Sequence, residues 1–306
     1  MTSPTSLLAG VELGGTKCIC ILGTGLHDVR ARIQVPTGEP SQTLARVEEI
    51  LDDWRAEYGP FAALGIASFG PLAARQGSSE PGRIAATSKP GWSNTDVAGR
   101  LGGCLGVPVG FATDVEGAAL AEGRWGGAQG LDDFAYVTVG TGVGVGLIVG
   151  GGRAGGFGHP ELGHIRVVRM PGDHWPGSCP FHGDCLEGLI CGPSIAARTG
   201  LPAEQLPADH PVWEAVAFAL GQLLHVLVLA TAPRRVLIGG GVVQARPYLL
   251  ERARAALRSS LAGYRYAREL EDLESYVAPP GLGALAGPLG ALALAAEAAS
   301  THGRAR

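Results

Sequence analysis

Short apolar runs alternate with glycine from the start of the chain. "LLAGVELGGTKCICILG" reads as strand, glycine turn, strand, and "DVRARIQVP" as a third strand. "SQTLARVEEILDDWRAEYG" carries apolar residues at helical spacing, and Ser41 is expected to cap that helix. "FAALGIASFG" predicts a short buried strand entering a Gly-Pro turn. "GVPVGFATD" predicts another strand, with "VEGAALAEGRWG" as the helix after it. "DFAYVTVGTGVGVGLIVGGG" then repeats the opening theme of apolar strand, glycine-rich turn, apolar strand. Helices are predicted near 193–200 and 211–231, and "RRVLIGGGVV" is a strand running into three glycines. Two helical segments, near 247–262 and 286–300, close the chain.

The strand–turn–strand unit thus occurs twice, near residues 10–22 and 135–149. Such a repeat predicts an α/β chain of two related domains with a cleft between them. The expected division is 1–115 and 116–289, with a closing helix at about 290–306 packing back on the first domain. Length and composition agree with this. The chain has 306 residues, 46% of them hydrophobic and 17% charged, which suits a packed core and excludes a disordered chain. A net charge of −4 offers no broad basic face, so neither nucleic acid nor a membrane surface is an expected partner. "AVAFALGQLLHVLVLATA" is interrupted by Gly, Gln and His and reads as a buried helix. No basic segment followed by a cleavable apolar one opens the chain, so the cytoplasm, with reduced cysteines, is the expected compartment.

The turns carry the first candidate chemistry. In "ELGGTK" (Glu12 to Lys17) and "VGTGVGVG" (Val139 to Gly146), glycine lets the backbone approach a ligand and turn with φ > 0. Successive N–H groups then face an anion, and a Thr hydroxyl adds a donor. Neither turn has the spacing of a Walker loop or of a Rossmann fingerprint. One such turn alone reads as a hairpin that needs glycine for geometry. Two of them, with "IGGGVV" (Ile238 to Val243), point to the phosphates of a nucleotide.

The segment "HPELGHIRVVRMPGDHWPGSCPFHGDCLEG" (His159 to Gly188) holds two of the six cysteines and four of the eight histidines. Cys179, His182 and Cys185 form C-x-x-H-x-x-C, a spacing that lets three soft ligands meet one tetrahedral metal. The fourth ligand is His164 or His174, with His159 behind them. A structural metal there would pin a loop too rich in Gly and Pro to build its own core. Glu161 lies three residues before His164, and Glu187 two after Cys185, both placed to grip a polyhydroxylated ligand. Asp114 ends a strand and begins a helix, so it is either a helix N-cap or a general base for phosphoryl transfer. Glu116, if it faces the same space, would raise the pKa of Asp114.

These motifs together resemble the ROK sugar kinases of the actin-like ATPase superfamily over nearly the whole chain, and the zinc-containing fructokinase branch most closely. "ELGGTK" resembles the first phosphate motif with Glu12 in its acid position, and "VGTGVGVG" the second. "ATDVEGAALAE" resembles the segment that carries the catalytic base, "HPELGH" and "CPFHGDCLEG" the zinc-loop motifs, and "TSKPGWSN" a segment that reaches the sugar. "IGGGVV" corresponds to the adenosine strand-turn and "GALAGPLGALALA" to the closing helix.

The resemblance implies two actin-like (ribonuclease H-like) domains and an ATP- and Mg²⁺-dependent sugar kinase. It favours D-fructose to fructose 6-phosphate, with glucokinase, mannokinase or N-acetylhexosamine kinase as alternatives. It assigns Asp114 as base and Thr113, Asn94, Glu161, His164 and Glu187 to the sugar. Gly14, Gly15, Thr16, Lys17, Thr141 and Gly142 would cradle phosphates, with Gly240 and Gly241 beside the nucleoside. Zinc would be held by His164, Cys179, His182 and Cys185, and a homodimer is implied. A sugar-responsive regulator of the same family would carry a helix-turn-helix before Glu12, which is not expected here. Two departures bear on sugar preference: Thr113 stands where many relatives have Asn, and Glu116 replaces a common Asn.

Overall fold

The computed structural model describes residues 6–73, 82–264 and 270–304. The chain forms two compact units, Met1–Gln129 with Gly155–His159 and Ala284–Arg306, and Gly130–Ala154 with Pro160–Gly283.

In the first unit the opening apolar runs become β1 (Leu8–Leu13), β2 (Lys17–Gly25) and β3 (Asp28–Pro36), followed by α1 (Pro40–Tyr58) and β4 (Ala63–Ser68). A small ribbon, β5 (Leu72–Ala73) and β6 (Arg83–Ile84), precedes α2 (Val97–Leu105), β7 (Val109–Thr113) and α3 (Asp114–Trp125). The sheet order is β3-β2-β1-β4-β7. β1 to β3 form an antiparallel meander, while β4 and β7 run parallel to β1. β4 is buried along its whole length, which is why "ALGIAS" shows no alternation of apolar and polar positions.

The second unit contains β8 (Phe134–Val139), β9 (Val143–Val149), β10 (Gly152–Arg153), α4 (Leu186–Ile190), α5 (Gly192–Thr199) and α6 (Val212–Thr231). It continues with β11 (Val236–Gly239), α7 (Gly241–Gln244), α8 (Tyr248–Leu261), α9 (Leu273–Tyr276) and β12 (Val277–Ala278). Its sheet order, β10-β9-β8-β11-β12, repeats the first strand for strand, with the same antiparallel meander on one side and parallel strands on the other. The repeat read from the glycine turns is therefore a repeat of topology, with little shared sequence.

The last helix, α10 (Ala286–Arg304), belongs to the first unit and lies across β1, β4 and β7. Three glycines make room for it. Gly10, Gly65 and Gly110 pair with one another across the parallel strands and form a smooth row. A Cβ on Gly65 would stand 1.8 Å from the Ala291 carbonyl oxygen, and one on Gly110 2.4 Å from that of Leu294. Gly290 meets Gly117 of α3 just as closely, so a methyl group there would stand 2.3 Å from the Gly117 carbonyl carbon.

Two helix ends differ from expectation or were not legible. Ser41 does not cap α1: Pro40 occupies the first turn, Glu39 is the N-cap, and Glu39 makes no side-chain cap bond. Proline supplies the helical φ and has no N–H to satisfy, which moves the cap two residues earlier, from Ser41 to Glu39. Thr43 instead turns its hydroxyl back to accept the Gly38 amide at 3.0 Å. α2 is rich in glycine and gives little periodic signal, yet it forms because Asp96 caps it, accepting the Gly99 amide at 2.8 Å.

α6 and α10 are each long and apolar enough, by composition, to cross a membrane. The apolar window of α6 is 67% buried within its unit, where Trp213, Leu220 and Leu224 join the core, as expected of a buried helix. α10 covers the first sheet.

Candidate active site

The parallel strands of the first unit end in register: Leu13 is level with Ser68, and Ser68 with Thr113. Residues that follow these positions therefore share one edge of the sheet, with β1 and β7 about 10 Å apart. The glycine turn Gly14–Lys17 leaves β1 there, and Asp114 leaves β7. Open α/β sheets bind ligands at such carboxyl ends.

Thr113, not Asp114, caps α3. Its hydroxyl accepts the Glu116 amide at 3.2 Å, and the Glu116 carboxylate accepts the Thr113 amide and hydroxyl, each at 3.1 Å. This is a complete capping box. The expected sugar contact Thr113 is thus only 5% exposed, with its hydroxyl engaged by the cap. Asp114 is the first helical residue. Its Oδ1 accepts the Val115 amide at 2.9 Å, which leaves Oδ2 for other chemistry. Burial raises its pKa from 3.8 to about 6; the Val115 amide opposes this, and the charge of Glu116 adds to it.

Glu12 faces the same region. Burial first, then the charge of Asp114, pushes its pKa to about 7, while Lys17 and Arg32 oppose the shift. Its Oε2 is buried without a hydrogen-bond partner. Sequence reading saw Glu12 only as part of a motif; its coupling to Asp114 appears once β1 and β7 are placed in one sheet. Gly287 of α10 is pressed against this carboxylate, since a Cβ there would lie 2.0 Å from Oε1.

The glycine turns work differently from expectation. None of Gly14, Gly15, Gly140 and Gly142 has a positive φ. Gly14 and Gly142 are small for reasons of space, while a Cβ on Gly15 would meet nothing within 4 Å. A Cβ on Gly14 would come within 2.9 Å of the Lys17 carbonyl oxygen, and one on Gly142 within 2.7 Å of Glu187 Oε2. Gly240 does require glycine conformationally, with φ 88° and its Cβ position 2.4 Å from the Val139 backbone.

In the second unit, Gly140, Thr141 and Gly142 join β8 to β9, and Gly140 donates to the Gly142 carbonyl at 2.9 Å. β11 runs parallel to β8, so Gly240 and Gly241 emerge beside this turn. A Cβ on Gly140 would be 3.8 Å from the Gly241 nitrogen. Glu187 of α4 supports the turn by accepting the Val143 amide at 3.0 Å, and the Gly192 amide donates to the Gly140 carbonyl at 2.8 Å.

The same unit gathers His164, Cys179, His182 and Cys185, whose ligand atoms all lie within 4.8 Å of one another. His164 Nδ1 is 3.5 Å from Cys185 Sγ and 3.8 Å from Cys179 Sγ, and His182 Nδ1 is 3.7 Å from Cys179 Sγ. Two thiolates and two imidazoles around a tetrahedral zinc would be separated by about 3.5 Å, so the donor set fits that ion in kind and spacing. His174 is not in this group. His159 belongs to the first unit, where its Nε2 accepts the Leu72 amide at 3.0 Å.

Tight backbone contacts shape this loop. Cys179 and Gly183 exchange amide bonds of 3.1 and 2.9 Å, and Gly183 has φ 63°. A Cβ on Gly188 would strike the Gly183 carbonyl oxygen at 2.0 Å. Leu162–His164 is one 3₁₀ turn, with the His164 amide donating to the Glu161 carbonyl at 3.0 Å and Glu161 itself exposed. Asn94, also exposed, holds φ 62°, a left-handed conformation that Asn tolerates.

Similarity to known proteins follows the same pattern. The chain is 38% identical over 292 residues to a fructokinase of Pediococcus pentosaceus, covering 95% of this chain and 98% of the relative. It is 38% identical over 302 residues to a fructokinase of Zymomonas mobilis, covering 97% and 99%. Its fold matches a ROK family glucokinase from Streptomyces griseus, solved with glucose and AMPPNP, with TM-score 0.76, 25% identity and coverage of 95% and 99%. The ROK family model matches residues 8–298, so the duplicated sheets, both glycine turns and the cysteine–histidine loop are those of a member of the ROK family.

Proposed function

We propose that this chain is an ATP- and Mg²⁺-dependent kinase that phosphorylates the 6-hydroxyl of D-fructose. The observation that carries this reading is 38% identity to two fructokinases along almost the entire chain. In this reading Asp114 is the general base. Its Oδ2 takes the hydroxyl proton as the sugar oxygen forms a bond to the γ-phosphorus and the bond to the β-bridging oxygen breaks, releasing ADP. A pKa of about 6 leaves Asp114 ionised at neutral pH yet more basic than an ordinary aspartate. Thr113 acts through the cap that fixes Asp114.

Asn94, Glu161, His164 and Glu187 are assigned to the sugar hydroxyls. Gly14, Gly15, Thr16, Lys17, Thr141 and Gly142 are assigned to the phosphates, and Gly240 with Gly241 to the nucleoside. Mg²⁺ bound with ATP supplies charge neutralisation, and the unpartnered Oε2 of Glu12 is a donor the chain offers it. Zinc held by His164, Cys179, His182 and Cys185 supplies a rigid cross-link; with both His Nδ1 atoms toward the metal, His164 Nε2 is left for a sugar hydroxyl.

A second reading is another hexose, favoured by the match to a glucokinase solved with glucose. A panel of fructose, glucose, mannose and N-acetylhexosamines with coupled ADP detection separates the two. Fructose is expected to lead in kcat/KM by about tenfold or more. A lead by glucose would install the second reading, and ADP release independent of any sugar would end both.

A further inference from the structure

The chain contains 24 basic side chains besides histidine, and only two of them, Lys17 and Lys89, are lysine. Arginine serves everywhere else. Both lysines meet at the first glycine turn. Lys17 closes that turn by accepting the Gly14 amide through its carbonyl at 3.0 Å. Lys89 reaches it from the segment "TSKPGWSN", where its partly buried ammonium donates to the Gly15 carbonyl and, at 3.4 Å, to the Thr37 carbonyl. Neither partner is a carboxylate, so the two contacts bring a positive charge to the turn without neutralising it.

The contact fixes the direction of a peptide plane. Gly70–Pro71 is the only cis bond among the described residues, so the peptides of the turn are trans. In a trans peptide the carbonyl and the following N–H point opposite ways. Thr37 Oγ1 holds the Gly14 carbonyl at 2.8 Å, which aims the Gly15 N–H away from Thr37. Lys89 holds the Gly15 carbonyl, which aims the Thr16 N–H away from Lys89. The Thr16 carbonyl in turn accepts the Thr37 amide at 3.0 Å. The carbonyls of Gly14, Gly15, Thr16 and Lys17 are therefore all engaged by the protein, and two successive amides face the other side as a pair of donors for an anion.

We propose that Lys89 is a positioning residue for the nucleotide: it orients the Gly15–Thr16 peptide and brings a cation to the turn that receives the phosphates. This rests on the phosphate reading of that turn. It also gives the sugar-side segment a second task, because the Lys89 backbone is tied to the loop that ends at Asn94. The Lys89 amide lies 3.4 Å from Thr87 Oγ1, and Trp92 Nε1 donates to the Gly38 carbonyl at 2.9 Å, beside Thr37. A lysine suits the place better than arginine, since a compact ammonium fits between two carbonyl oxygens where a planar fork does not.

The test is calorimetry of ATP and of fructose, each added alone to the parent protein and to Lys89→Met, with thermal melting alongside. Loss of a charge-assisted bond is expected to weaken ATP binding by about tenfold or more while fructose affinity stays within about twofold. ATP affinity equal to the parent's, or equal losses for ATP and fructose with a lowered melting temperature, would overturn the proposal. Should the Met variant not fold, Lys89→Gln removes the charge and, one bond shorter, withdraws the donor from the Gly15 carbonyl, and parent-like ATP binding in that variant would overturn it as well. A parent that binds ATP but phosphorylates no sugar would instead remove the fructokinase reading and leave the role of Lys89 to be decided by the ATP titration.

Discussion

Glu187 and Val143 are joined by one bond: the carboxylate of the first residue accepts the amide of the second at 3.0 Å. Gly163 meets the next peptide unit of the same strand, where a Cβ would lie 1.9 Å from the Val143 carbonyl oxygen. Glu187 follows Cys185 of the cysteine–histidine cluster by two residues, and Gly163 precedes His164 of the same cluster. The end of the second glycine turn is thus held from both sides by neighbours of the cysteine–histidine cluster.

Gly142→Ala tests that arrangement. Its new methyl would fall 2.7 Å from Glu187 Oε2, so either the turn or the carboxylate must move. The expected result is a KM for ATP raised by about tenfold, with stability lowered by about 1–3 kcal/mol. Steady-state kinetics against ATP and a thermal melt check it; an unchanged KM for ATP would separate Glu187 from the turn.

Metal removal is expected to affect nucleotide as well as sugar. A strong chelator should lower the melting temperature, because four ligands from Leu162–His164 and the 179–185 loop lose their cross-link. It should also weaken ATP binding, because α4 carries Glu187. Elemental analysis of the purified protein should find zinc. A chelated protein with the parent's melting temperature would count against the metal.

Asp114→Asn should reduce kcat by at least about a hundredfold while leaving fructose binding largely intact. Stability should not fall at neutral pH, because the substitution removes a carboxylate that burial penalises when charged. The pH dependence follows with a definite sign. Asp114 and Glu12 have folded pKa values of about 6 and 7, above the ordinary 3.8 and 4.5. Between roughly pH 4 and 7 the folded state therefore holds more protons than the unfolded one, and stability declines as pH rises through that window. Activity moves the other way, rising as the base ionises, with apparent values that belong to the coupled pair. A rate profile flat from pH 5 to 8 would dismiss Asp114 as the base.

Gly65→Ala addresses the fold alone. A methyl group 1.8 Å from the Ala291 carbonyl oxygen cannot be accommodated without lifting α10 from the sheet. The expected cost is at least about 2–3 kcal/mol, read by denaturant unfolding. A wild-type midpoint would show that the helix does not sit against that row.

Much of this protein was legible in its residues because the chemistry sits in contiguous motifs. The glycine turns lie between apolar strands, and three members of the cysteine–histidine cluster fall within seven residues, from Cys179 to Cys185. The fourth member of the cluster was not decided by spacing, since His164 and His174 are both near; the 3₁₀ turn at Leu162–His164 brings His164 and not His174 to the cysteines. Glycine was read as a conformational device at the turns; at Gly14 and Gly142 it proved to be a matter of contact, and at Gly240 of conformation. Asp114 was read as a cap or a base, and the capping box gives the cap to Thr113, the residue before it.

The sequence by itself determined the duplicated strand–turn–strand plan, the cysteine–histidine loop and the acid at the end of β7, because each is set by local periodicity or by residues a few positions apart. Tertiary structure alone decided the pairing of Gly10, Gly65 and Gly110 beneath α10, the approach of Glu12 to Asp114 and the hold of Lys89 on the Gly15 carbonyl. These depend on strand register and on contacts between residues distant in the chain, which no local pattern encodes.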